Sequence, residues 1–136
     1  TPLSRAPMSG ALIVCIENDP AILDGMKTLL TSWDARVIAV ADPEAAIEAI
    51  DAAGERVTGL LVDYHLDRGN GIATIREIRK RYSATLPAIL ITADRSPHVR
   101  DAARLERISV LNKPLKPASL RALIGQWRTQ QAVAAE

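Results

Sequence analysis

Apolar residues fall along this chain in short, nearly continuous runs, separated by longer stretches in which they recur every three or four positions. The runs occupy residues 11–16, 37–40, 57–62, 87–91 and 108–111. Runs of four to six residues with little polar interruption suit strands buried on both faces of a parallel sheet. The stretches between them carry helical spacing. Ile22, Leu23, Met26, Leu29 and Leu30 form one stripe, and residues 45–53 an Ala-rich one. Ile72, Ile75 and Ile78 form a third, then Val99, Ala102, Ala103 and Leu105, and finally Leu120, Leu123, Ile124 and Trp127. Asp19-Pro20, Asp42-Pro43 and Ser96-Pro97 each place a capping side chain before a proline at the first helical position. Gly54 suits a helix end, and Pro117 opens the last helix.

Five strands alternating with five helices predict an α/β fold: a parallel sheet with helices on both faces and right-handed crossovers. Pro2, Ser4, Pro7, Ser9 and Gly10 give residues 1–10 the composition of a linker or leader. The folded domain is expected over 11–130 and a frayed tail over 131–136.

Composition changes this picture in few ways. At 136 residues one domain is expected. Hydrophobic residues make up 48% but aromatics only 3%, with no Phe, so the core must be aliphatic. The net charge of +1 gives no reason to expect nucleic acid or a membrane surface as partner. Charge is unevenly spread: residues 1–75 hold 5 Lys and Arg against 11 Asp and Glu, and residues 76–136 hold 12 against 5. Solvated helix faces and a basic docking face on the later helices both account for that. The single cysteine, Cys15, excludes an internal disulfide and lies in an apolar run, as a buried thiol would. No apolar stretch approaches the ~20 residues of a membrane span, and no signal peptide is legible. A reducing, cytoplasmic setting is the expectation.

Candidate chemistry sits where the apolar runs end. Asp63 closes the third run and opens the loop Tyr64-His65-Leu66-Asp67-Arg68-Gly69-Asn70-Gly71. Glu17-Asn18-Asp19 follow the first run, Thr92 the fourth and Lys113 the fifth. Each has a purely structural explanation: Asp63 as a turn residue, Asp19 as a helix cap, Thr92 in a local hydroxyl turn, Lys113 as a solvated lysine. Jointly they stand at carboxyl ends of strands, where ligands bind in open α/β sheets. With strand order 2-1-3-4-5, Glu17, Asn18 and Asp63 cluster at the switch point. Crowded carboxylates favour a bound divalent cation or a raised pKa, and an all-oxygen donor set suits Mg2+. A carboxylate can attack phosphorus, while Lys113 and Thr92 supply charge and a hydroxyl donor to the transferred group.

The acidic start Glu17-Asn18-Asp19-Pro20, the strand-end Asp63, Thr92-Ala93 and Lys113-Pro114 together resemble the receiver domain of two-component response regulators, over about residues 10 to 130. The resemblance implies a flavodoxin-like five-stranded α/β fold with order 2-1-3-4-5. It implies Asp63 as phosphoacceptor, with Mg2+ held by Asp63, Glu17, Asn18 and the backbone carbonyl of His65. Lys113 and Thr92 would touch the phosphoryl oxygens, His65 and Asp94 would tune the acyl-phosphate lifetime, and the Lys113-Pro114 bond would be cis. Two positions depart from the family pattern. Glu17-Asn18 stands where two aspartates are usual, which predicts weaker Mg2+ binding. Val110 stands where an aromatic is usual three positions before the lysine, which favours a relay or sink over a transcriptional switch.

The implied partners are a histidine kinase, or its phosphorylated dimerisation domain, and a histidine phosphotransfer domain, docking on residues 22–30 and the loops around Asp63. The wording is closest to the C-terminal receiver of a hybrid sensor histidine kinase. A stand-alone response regulator and a non-phosphorylated pseudo-receiver used for assembly are the alternatives. A small phosphohydrolase is disfavoured because His65, not an acid, lies two residues after Asp63. A nucleotide-binding flavodoxin-like protein is disfavoured because no Gly-rich loop follows the first strand.

Overall fold

The computed structural model describes residues 8–135, with side chains for 8–127. Strands and helices alternate without exception: β1 Leu12–Ile16, α1 Pro20–Ser32, β2 Arg36–Val40, α2 Pro43–Ala53, β3 Gly59–Asp63, α3 Gly71–Arg81, β4 Ala88–Thr92, α4 Pro97–Leu105, β5 Ser109–Asn112 and α5 Pro117–Ala135. All strand pairings are parallel, in the order β2-β1-β3-β4-β5. The expected fold is thus the observed one. The three central strands are buried along their whole length, whereas β2 and β5, at the edges, are only half-buried. That is why runs 11–16, 57–62 and 87–91 are the most apolar.

Alternation along the strands divides the core into two layers. Leu12, Val14, Ile16, Leu60, Val62 and Leu90 face α2, α3 and α4, meeting Ile50, Ile75, Ile78, Val99 and Ala103. Ile13, Cys15, Leu61, Ile89 and Ile91 face α1 and α5, meeting Met26, Leu30, Leu120, Ile124 and Trp127. Cys15 is fully buried, and loss of hydration pushes its thiol up to about 12, so it is inert packing.

The helix starts follow their capping chemistry. Asp19 accepts from the N–H groups of Ala21 and Ile22, Asp42 from Ala45, and Asn70 from Ala73, so each satisfies N–H groups that lack an intrahelical partner. Ser96 makes no such bond through its side chain. Gly54 ends α2 with φ +63, in the left-handed region that favours glycine.

Three expectations need correction. Residues 8–10 are not linker: Met8 is fully buried in the α1/α5 core layer, and its carbonyl accepts from Ala11 N–H at 3.0 Å. Residues 1–7 lie outside the described residues. Leu105 does not face inward with Val99 and Ala103 but is 86% exposed, and Ile22 on α1 is 39% exposed. Over the tail set apart at 131–136, helical backbone continues to Ala135, and Glu136 lies outside the described residues.

Candidate functional site

Three strand ends deliver the site. Asp63 is the last residue of β3 and only 3% exposed; Glu17 follows β1 at 2%; Lys113 follows β5 with its side chain 29% exposed. The β1–β3 register pairs Ile16 with Val62, so the next residues, Glu17 and Asp63, emerge side by side at the carboxyl edge. Lys113 reaches in from the far edge. Its Nζ lies 3.5 Å from Asp63 Oδ1 and 3.8 Å from Glu17 Oε2. Asp63 Oδ1 also accepts from the backbone N–H of His65 at 3.3 Å. Glu17 Oε1 accepts from Asp19 N–H at 3.1 Å.

The electrostatics follow from that packing. The Glu17 carboxyl is pushed up to about 7, first by burial, then by its hydrogen bond to Asp63 and the negative charge there. The Asp19 N–H and Lys113 pull in the opposite direction but do not cancel the rise. A Glu17 carboxyl that keeps its proton near neutrality marks a site short of positive charge. A cation beyond Lys113 would replace that proton.

Thr92, at the end of β4, is fully buried. Its Oγ1 accepts from Asp94 N–H at 2.9 Å, the local turn foreseen as its structural explanation. That bond uses an oxygen lone pair and leaves the hydroxyl proton free to donate. Lys113 N–H donates to Thr92 O at 2.9 Å, so the backbone of the lysine is tied to the threonine. The Lys113-Pro114 bond is cis, as the resemblance implied. Asn112, which sequence reasoning passed over, donates from Nδ2 to the carbonyls of Thr92 and Asp94 at 3.2 and 3.4 Å. It sits between two singled-out residues, and only its strand-end position could have flagged it.

Asn18 is half-buried, and its Nδ2 donates to Asp67 Oδ1 at 2.8 Å. Asp67 was likewise seen only as part of the loop. His65 is exposed, with its ring packed edge-on against Tyr64. Asp94 accepts from Ser96 N–H at 2.8 Å, and that bond, with the nearby His65 and His98, holds its carboxyl below the usual range. His65 is thus near enough to act electrostatically on Asp94.

Gly71 explains how the loop after Asp63 closes. A Cβ there would collide with the Asp63 carbonyl and the Leu90 side chain, while Gly71 N–H donates to Tyr64 O at 2.9 Å. Only glycine lets α3 begin this close to the strand. The oxygen donors foreseen for a metal are the carboxylates of Glu17 and Asp63, the Asn18 side-chain carbonyl and the His65 backbone carbonyl. This hard set fits Mg2+ better than a thiophilic or imidazole-seeking metal. Among the described residues no three His, Cys, Asp or Glu side chains form a metal cluster, so a metal here would depend on the amide and backbone oxygens.

Parallel order β2-β1-β3-β4-β5 with an acid pair and a lysine at the carboxyl edge defines a flavodoxin-like α/β domain with its site at the switch point. The profile of the response regulator receiver domain matches residues 13–125, and the chain belongs to that family: it is a receiver domain of the two-component type. Among curated proteins it is similar to a putative two-component response regulator of Arabidopsis thaliana, at 23% identity over 79% of this chain and 17% of the relative. It is also similar to a sensor histidine kinase of Pseudomonas protegens, at 27% identity over 91% of this chain and 13% of the relative. The chain thus spans less than a fifth of either relative. Solved receiver domains from Clostridium thermocellum (TM-score 0.82, 19% identity, 91% of this chain and 98% of that one) and Methanospirillum hungatei (0.80, 21%, 91% and 98%) share its fold.

Proposed function

We propose that this receiver takes a phosphoryl group from a histidine kinase onto Asp63. The observation that carries the reading is the buried Asp63 carboxylate with the Lys113 ammonium 3.5 Å away and Glu17 beside it. A carboxylate oxygen of Asp63 attacks phosphorus in the donor's phosphoimidazole. The P–N bond breaks, its electron pair returns to the imidazole nitrogen, and an acyl phosphate forms on Asp63. Lys113 then offers its charge, and Thr92 its free hydroxyl proton, to the phosphoryl oxygens. Mg2+, held by Glu17, Asp63, Asn18 and the His65 carbonyl, would neutralise further charge on the transferring group. Exposed His65 and half-buried Asp94, two residues beyond Asp63 and Thr92, would set how readily water reaches the acyl phosphate.

The kinase relative supports a place within a sensor histidine kinase; a hybrid architecture, with phosphate passed on to a histidine phosphotransfer domain, is part of the proposal. The exposed Ile22 at the start of α1 offers an apolar contact for either partner. Val110 is half-buried against the α2/α3/α4 core layer and offers no ring to swing, which favours a relay over a switch. Among the described residues no helix is long and apolar enough to cross a membrane; a cytoplasmic setting is part of the proposal.

Intact-mass measurement after incubation with acetyl phosphate and Mg2+ tests the reading. One added phosphoryl group is expected in the wild type and none in Asp63→Ala. Unmodified wild type, from acetyl phosphate and from a phosphorylated kinase alike, would leave an assembly role as the better reading.

A further inference from the structure

An asparagine beside two acids has chemically opposite ends. Its NH2 donates and its carbonyl oxygen accepts or ligates. Left to itself next to Glu17 and Asp63, the Asn18 amide would turn its NH2 toward those carboxylates, because they are acceptors. A cation would then meet a donor instead of an oxygen.

In this chain the NH2 is already engaged. Asn18 Nδ2 donates to Asp67 Oδ1 at 2.8 Å, joining the loop after β1 to the loop after β3. The direction of that bond is chemically forced, since a carboxylate only accepts and a reversed amide would set oxygen against oxygen. The loop bearing Asp67 is itself anchored: His65 and Asn70 form an antiparallel bridge, and Asn70 caps α3. No described contact occupies Asn18 Oδ1.

We propose that Asp67 is a positioning residue for the cation site. It holds the donor end of Asn18 on the loop side and so leaves Oδ1 as the end available to a divalent cation shared with Glu17 and Asp63. The inference rests on the reading of Asp63 as a Mg2+-assisted phosphoacceptor. It explains how an amide serves where an acid is usual: the acceptor that orients it sits four residues beyond the phosphoacceptor.

Calorimetric titration with Mg2+ tests this without any activity assay. Losing a group that orients a metal ligand typically weakens affinity by about 10- to 100-fold. Asp67→Ala is expected to weaken Mg2+ binding by about tenfold. Asp67→Asn, whose carbonyl still accepts the Asn18 NH2, is expected to keep most of it. In an Asn18→Asp background there is no amide to orient, so the effect of Asp67→Ala should vanish. Asp67 is exposed, and unchanged melting of these variants would show that the fold survives. Equal affinity in wild type and Asp67→Ala overturns the inference alone. So does an equal loss in Asp67→Ala and Asp67→Asn, which would mean charge rather than orientation. A wild type that binds no Mg2+ overturns the metal reading beneath it as well.

Discussion

Glu17 carries a sign that can be checked. In the folded chain its carboxyl keeps its proton up to about 7, against 4.5 ordinarily, because it is buried beside Asp63. Between those values the folded state binds more protons than the unfolded one. This group's contribution to stability is therefore greatest at low pH and declines as pH rises through that window. A single such group can impose a slope of at most about 1.4 kcal/mol per pH unit. Glu17→Gln, uncharged throughout, removes it. In urea melts without divalent cations, the variant's stability relative to wild type should improve by about 1 kcal/mol or more between about pH 5 and about pH 7.5. An unchanged difference would show that burial does not raise this carboxyl. Crowding and a raised pKa were foreseeable from strand-end positions, but that Glu17 carries the rise, and how far, was not, because that depends on how completely neighbours exclude water from it.

At the scale of elements, β3 and α5 meet through an unforeseen pair. Trp127 was placed on the inward stripe of the last helix, and it is there. What faces it is Gly59, where a Cβ would collide with the indole ring. Gly59→Ala should cost about 1–3 kcal/mol by overpacking, and a smaller residue at 127 should recover part of that in the double variant. Additive losses in denaturant melts would show that the ring moves aside freely. Periodicity also misassigned Leu105. At about 100° per residue, six positions beyond Val99 turn the side chain well away from the face that Val99 and Ala103 share. Helical spacing counts apolar residues near a stripe; packing shows which of them reach it.

For the whole molecule, Met8 shows that the domain begins earlier than composition suggests. Pro and Ser around it read as linker, yet Met8 closes the core layer that α1, α5 and β1 form. Met8→Ala should destabilise the fold by about 2–5 kcal/mol, as removal of a buried large side chain does. A loss under ~0.5 kcal/mol in equilibrium unfolding would instead mark the segment as peripheral. Nothing local to residues 1–10 signals this, because burial there is conferred by elements distant in sequence.

Strand and helix identity, the two-faced sheet and the convergence of Asp63, Glu17, Thr92 and Lys113 on one edge were all legible in the amino-acid order. Those features depend on local periodicity and on the rule that sites in parallel sheets lie at strand ends. Tertiary structure alone decided that Met8 is buried and Leu105 is not, that Asn112 braces the β4–α4 loop, and that Asn18 is held by Asp67 across forty-nine positions. Such contacts arise from the meeting of loops whose separation in sequence carries no signal, so they exist only once the sheet has brought the loops together.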